Sequence, residues 1–440
     1  MKINVITLGC SKNVVDSENL AGHYADAGHS VFFNRDTNDC DIVIVNTCGF
    51  IGDAKEESIN TLLEQIEKKK HFDRRHSSDG RRRRLVAVGC LVERYRRELG
   101  DELPEIDAFY GVRDWDRILA DSLTFFNDPK FDLHCKRKLS TPTYYAYLKI
   151  AEGCDRACSY CAIPSIRGRY ESRPIDELVD EAKRLVADGV KELILIAQDT
   201  TYYGIDLYGR RRLGDLLERL ATESGAHWIR LHYTYPTDFP PDAIAAIARH
   251  KNICNYIDIP LQHVNSRILK SMRRGIDREG TIRLLADIRA KLPDASIRTT
   301  FIAGYPGETE AEFEELLDFV REARFDRMGC FAYSPEEGTP AYALKDDVPD
   351  EEKKRRVGEL MAVQEQISLE RNMSLVGREL EVVIDRREGD YYVGRTEFDS
   401  PEVDDEVLIA AESNRRLQVG RFYMARITGA YENDLIAQLC

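Results

Sequence analysis

Cys154, Cys158 and Cys161 lie at C-x3-C-x2-C spacing inside GCDRACSYCAIPSIRGR. Thiolates are soft ligands that hold iron–sulfur clusters, and a four-iron cluster ordinarily takes four of them. This run supplies three, with no fourth cysteine close downstream. A cubane held that way keeps one iron free to bind and activate a small molecule, which is a catalytic arrangement rather than an electron wire. The alternative is zinc, whose structural sites want four closed ligands in paired motifs. His134 or Cys135 would have to complete such a set, and neither sits in a pair.

A second set comes from the elements around it. Four short apolar runs alternate with helical patterns in the first third: INVITL (3–8), DIVIVN (41–46), RLVAVG (84–89) and IDAFYG (106–111). Val/Ile-rich runs separated by amphipathic stretches predict a parallel sheet of βα units. The first three runs are each followed by a cysteine: Cys10, Cys48 and Cys90. Open α/β sheets bind ligands beyond the carboxyl ends of their strands, so these three converge on one edge. Chance is the competing reading, since buried cysteine is common, but three equivalent strand ends argue for a second open cluster.

From residue 144 to about 335 the alternation resumes, with strands expected at 144–150, 192–198, 228–234, 256–262, 296–304 and 328–334. Six parallel strands with outer helices predict a partial (β/α)6 barrel, with Cys154, Cys158 and Cys161 after its first strand on the catalytic face. A helix over 350–373 leads to short β-like runs after Gly377, which predict a small antiparallel β-barrel. The chain is thus α/β, divided at 1–125, 140–373 and 374–440. About three domains are also what 440 residues predict.

The barrel triplet resembles the signature of radical S-adenosylmethionine enzymes. In that superfamily the open iron is chelated by S-adenosylmethionine, whose reductive cleavage yields a deoxyadenosyl radical. TLGCSKNVVDSE (7–18), NTCGFIGDAKEES (46–58) and VGCLVERY (88–95) further resemble the three cysteine motifs of the methylthiotransferase family. The SKN after Cys10 and the GFI after Cys48 favour the branch that modifies a ribosomal protein over the transfer-RNA branch.

This resemblance covers essentially the whole chain. It implies two 4Fe–4S clusters, on Cys10/Cys48/Cys90 and on Cys154/Cys158/Cys161, with S-adenosylmethionine serving both as radical source and as methyl donor. The reaction implied is methylthiolation of the β-carbon of an aspartate in ribosomal protein S-twelve, with electrons from a donor such as flavodoxin. No catalytic residue beyond the cluster ligands is implied. Gln198 and Asp199 stand where the superfamily often places a polar group for the amino group of S-adenosylmethionine. Gly304 and Glu308, in IAGYPGETE, resemble the segment beside the adenosine. Both segments also read as turn chemistry. The tail resembles the TRAM domain, which commonly binds RNA in transfer-RNA enzymes.

Charge separates the partners. Residues 377–440 carry 14 Asp/Glu against eight Arg. An RNA-binding barrel should be basic, whereas an acidic one suits a basic protein through complementary steering. The whole chain, at a net charge of −14, is likewise no general nucleic-acid binder. One departure is 68–84, with nine Lys/Arg against Asp73 and Asp79. It reads as a solvated, disordered loop, with docking on ribosomal RNA as the functional alternative. Cys40, Cys135, Cys254, Cys330 and Cys440 lack ligand spacing and read as packing or incidental thiols, and His232 and His263 as hydrogen-bonded core. Without a leader pattern or a run near the roughly 18 apolar residues of a membrane span, the expected setting is cytoplasmic, with no membrane partner. Two rivals remain: methylthiolation of an adenosine in transfer RNA, and a non-catalytic iron–sulfur carrier or sensor.

Overall fold

The computed structural model describes residues 1–36, 39–114, 117–118, 121, 137–411 and 416–440. His134, Cys135 and the expected boundary at 125 lie outside them.

The first unit is a parallel sheet of β1 (Lys2–Thr7), β2 (Ser30–Phe33), β3 (Ile42–Thr47), β4 (Arg84–Gly89) and β5 (Ala108–Tyr110), ordered β2-β1-β3-β4-β5. Ile3, Val5, Ile44, Val86 and Val88 pack on one face; Val43, Val45, Leu85 and Ala87 pack on the other. Period-two alternation between two covered faces is why these strands read as continuous apolar runs. The edge strand β2 was absent from the expected pattern.

The second unit begins at β6 (Tyr145–Lys149), followed by the two-residue strands β7 (Ala151–Glu152) and β8 (Glu171–Ser172), which pair with each other. Its remaining strands are β9 (Glu192–Ile196), β10 (Trp228–Leu231), β11 (Tyr256–Asp258), β12 (Ser296–Ala303) and β13 (Arg327–Ala332). The parallel trios β6-β9-β10 and β11-β12-β13 meet through an Ile229–Ile253 bridge. Six parallel strands in sequence order make the open barrel. β10 and β11 are shorter than expected, because the chain turns left-handed at Tyr233 (φ +56°) and meets Pro260. Helix Asp350–Met373 packs beside β13 and leads out.

The tail closes into a barrel of β14 (Glu379–Glu388), β15 (Tyr391–Arg395), β16 (Glu406–Ala410), β17 (Phe422–Ala430) and β18 (Asp434–Leu439). It is not wholly antiparallel: β16 and β18 pair in parallel. Closure removes the free edges that a five-stranded sheet would otherwise expose.

One charge reading needs correction. The segment 68–84 is not a free loop. Residues 68–75 end the helix Gly52–Arg75, and β4 begins at Arg84. Lys68 pairs with Asp36 and Glu64, Lys69 with Asp107, Lys70 with Glu67 and Glu105, and Arg81 with Asp41. Arg83 is buried, donates to the Cys40 carbonyl and lies over Phe72. Much of the basic charge is therefore met at home, which removes most of the argument for docking on RNA.

The acidic tail is likewise partly spent. Asp399 and Asp405 pair with Arg327 at 2.6 and 3.1 Å, and Asp404 pairs with Arg298 at 3.3 Å. Glu402 accepts from the Tyr145 hydroxyl, and Arg395 reaches the buried Glu192 beside Arg230. Asp399, Glu402, Asp404 and Asp405 thereby help seat the small barrel on the large one. Burial pushes the Asp405 carboxyl up to about 7.

Candidate active site

Helix α1 (Ser11–Asp26) starts directly after Cys10 and buries polar residues that tie the strand ends together. Asn13 donates from Nδ2 to the carbonyls of Leu8 and Thr47, while Asn46 donates to the Asn13 carbonyl and to Ser17. The loops carrying Cys10, Cys48 and Cys90 are thereby drawn to one point. Gly9 and Gly89 make the approach possible. Both are left-handed, at φ +87° and +102°. A Cβ on Gly9 would stand 2.7 Å from the Cys48 Cβ, and one on Gly89 would stand 2.6 Å from the Thr47 carbonyl. Neither position admits a larger side chain. The convergence expected from strand ends is present.

The barrel triplet lies in the turn after β7, on the carboxyl side of the first barrel strand. It lines a cavity of about 410 Å3 together with Arg156, Arg273, Gly338 and Pro340. Arg274 donates to Cys158 Sγ at 3.4 Å and to the Pro260 carbonyl, and the Tyr235 hydroxyl stands 3.6 Å from the same sulfur. Arg156 and Arg274 lie over the Tyr235 ring, each 4.1 Å from its centre.

One residue joins the two sites. Helix Ile163–Arg167 begins two residues after Cys161, and Ala162 and Ile166 pack against Cys90. At its end the buried Arg167 donates to Cys90 Sγ at 3.5 Å and to Asn13 Oδ1 at 2.6 Å. It also pairs with Asp16 and Glu152, each at 3.0 Å. Lys149 bridges the same two carboxylates. Burial works against the Glu152 charge, yet Lys149 and Arg167 hold its carboxyl well below the usual range. Arg167, Asn13 and Asp16 lie inside GCDRACSYCAIPSIRGR and SKNVVDSE, yet their spacing marks no role for them. The signal available was charged residues within motifs whose elements must be buried.

The residues present fit iron–sulfur clusters. Burial pushes the thiols of Cys90, Cys154 and Cys161 up to about 12, and that of Cys48 upward as well. Cluster binding takes thiolates, so loading expels those protons. Among the described residues no three His, Cys, Asp or Glu side chains are set to hold a single metal ion. A cubane asks for something different, since each thiolate binds its own iron.

Gln198 fits a ligand as well. Its Nε2 donates to Glu152 at 2.9 Å, while its buried Oε1 has no partner among the described residues. That leaves an acceptor free at a barrel strand end. Asp199 is instead committed to Arg156 at 2.7 Å and to Thr201. The Glu308 carboxylate faces its own turn, accepting from the amides of Gly304 and Tyr305 and from Arg356. Gly304 lies against Lys353, whose Cγ a Cβ there would meet at 2.3 Å. Both residues thus have structural work in that turn. His232 bonds Ser400, and burial lowers its pKa to about 3.

Three families match separate parts of the chain: the radical SAM superfamily over 148–320, the Uncharacterized protein family UPF0004 over 2–111, and the TRAM domain over 376–440. Proteins named ribosomal protein uS12 methylthiotransferase RimO match end to end. That of Bacteroides thetaiotaomicron is 49% identical, covering 100% of this chain and 98% of its own. That of Porphyromonas gingivalis (strain ATCC 33277) is 50% identical over 100% and 99%, and that of Flavobacterium johnsoniae 52% over 99% and 98%. Among solved structures, the radical S-adenosylmethionine methyltransferase TsrM from Kitasatospora setae, with cobalamin and a [4Fe-4S] cluster bound, superposes at a TM-score of 0.56. It is 14% identical, covers 82% of this chain and 90% of its own, and speaks to fold alone. Full-length identity near one half, with both cysteine triads in place, settles the kinship: the chain belongs to the radical S-adenosylmethionine methylthiotransferases, in the RimO family.

Proposed function

We propose that this chain methylthiolates the β-carbon of an aspartate in ribosomal protein uS12, within the cytoplasm, with electrons from a small redox protein such as a flavodoxin. The observation that carries the reading is Arg167, which begins from the barrel triad's own loop and ends on a ligand of the other triad. An unactivated C–H bond offers a general base no useful acidity, so the reaction calls for radical chemistry that a protein delegates to cofactors. Clusters and S-adenosylmethionine bound at the two triads would supply the radical and the methylthio group. Cys10/Cys48/Cys90 and Cys154/Cys158/Cys161 would hold the clusters, and Gln198 would offer its unpartnered Oε1 to the amino group of S-adenosylmethionine.

The chain's other residues position and shield. Arg274 steadies Cys158 and Arg167 steadies Cys90, where the guanidinium offsets thiolate charge that burial disfavours. Glu152 ties Gln198 to Arg167, so the cofactor side and the sulfur side share one network. Holding two reagents in fixed relation supplies the proximity a radical transfer needs. No described helix is long and apolar enough to cross a membrane.

Loaded anaerobically and given reductant, S-adenosylmethionine and uS12, the protein should form deoxyadenosine and S-adenosylhomocysteine together, one from each use of the cofactor. Chromatography of the quenched reaction measures both. A carrier or sensor would form neither.

A further inference from the structure

Lys12 is the second residue of α1, two positions beyond the ligand Cys10. It is only 6% exposed, and its Nζ stands 2.8 Å from the centre of the Tyr233 ring. Among the described residues its ammonium makes no hydrogen bond or ion pair. The acid one helical turn on, Asp16, would be its ordinary partner, but Lys149 and Arg167 take both Asp16 oxygens. Asp258 is also spent, on Arg298 and on the Tyr233 amide.

Tyr233 is held firmly. Its carbonyl accepts from the Thr200 amide at 3.0 Å and its hydroxyl lies 3.3 Å from Ser11 Oγ. Two residues along, Tyr235 reaches Cys158. The unpaired ammonium therefore stands between a ligand of one triad and the strand end that touches a ligand of the other. The side chain is nine-tenths buried while its Nζ stays open at the accessible end, and a ring face is a weaker partner for an ammonium than a carboxylate. An arriving anion would make up the difference.

We infer that Lys12 receives the side-chain carboxylate of the substrate aspartate, and so selects that residue type for modification. This rests on the uS12 reading above and names the group that implements it. Paired to Lys12, the carboxylate fixes the adjacent β-carbon between the two sites. A neutral amide in its place leaves the ammonium without a charge partner.

The test is binding without turnover. The cluster-loaded enzyme, anaerobic and without reductant, is titrated into fluorescent uS12 peptides carrying either Asp or Asn at the modified position. The unaltered enzyme should hold the Asp peptide roughly 30-fold tighter, the scale for losing one partner of a buried charge pair. Lys12→Met should bind both peptides equally, near the Asn level, with iron content unchanged. Lys12→Arg should retain the preference. Lys12→Gln carries the same comparison if Met at this site lowers iron. A neutral variant that keeps the full preference overturns the inference and leaves the uS12 reading intact. An unaltered enzyme that binds neither peptide overturns both.

Discussion

Replacing Cys10, Cys48 and Cys90 together by Ala should remove about half of the iron, from roughly eight to roughly four atoms per chain, as expected for two four-iron clusters. Methylthiolation should be lost entirely, while reductive cleavage of S-adenosylmethionine to deoxyadenosine continues. The split follows from the geometry, because the barrel triad keeps its own cavity, its own arginine and Tyr235. The complementary change, Cys154, Cys158 and Cys161 to Ala, should abolish both activities. Colorimetric iron analysis and product chromatography read the two effects separately. Unchanged iron after loss of the first triad would remove the second cluster from the account.

The next-largest effect should come from Arg167→Met. The guanidinium meets Cys90, Asn13, Asp16 and Glu152 at once. Removing it leaves Asp16 with Lys149 alone and Glu152 with Lys149 and Gln198, and breaking a buried pair such as that to Asp16 costs about 3–5 kcal/mol. That strain falls between the units, where α1 meets the barrel. Hydrogen exchange should rise there first. Misplacing a reacting partner by about 1 Å can cost about 100-fold, so methylthiolation should fall on that scale. Deoxyadenosine formed without uS12 should change only a few-fold, because the barrel cavity does not use Arg167. Arg167→Lys should rescue poorly, since a single ammonium cannot reproduce the fork. Equal loss of both products would mean a general failure of folding rather than lost positioning.

The parts of this site that were legible in the sequence are those encoded locally. Period-two apolar runs placed β1, β3 and β4, and a cysteine after each run placed one triad at a sheet edge. The barrel triad was visible from spacing alone. What escaped depends on pairing over long separations. Arg167 and Cys90 lie 77 residues apart, and Asp399 and Arg327 lie 72 apart. No local pattern distinguishes an acid that faces solvent from one buried against a distant arginine. That is why the basic run at 68–84 looked free when its charges were met by Asp36, Asp107 and Glu105. The parallel pairing of β16 with β18 has the same origin, since alternation fixes which side chains face inward but not the direction of the neighbouring strand. Gln198 is singled out by the superfamily resemblance at a strand end, while its unpartnered oxygen shows only in three dimensions.

The substrate is the point on which the functional account turns. The most direct measurement presents the loaded enzyme, under anaerobic conditions with reductant and S-adenosylmethionine, with uS12 and with transfer RNA in parallel, and weighs both products. The account predicts a methylthio mass gain on uS12, mapped by fragmentation to one aspartate, with transfer RNA unchanged. A gain on transfer RNA with none on uS12 would contradict it.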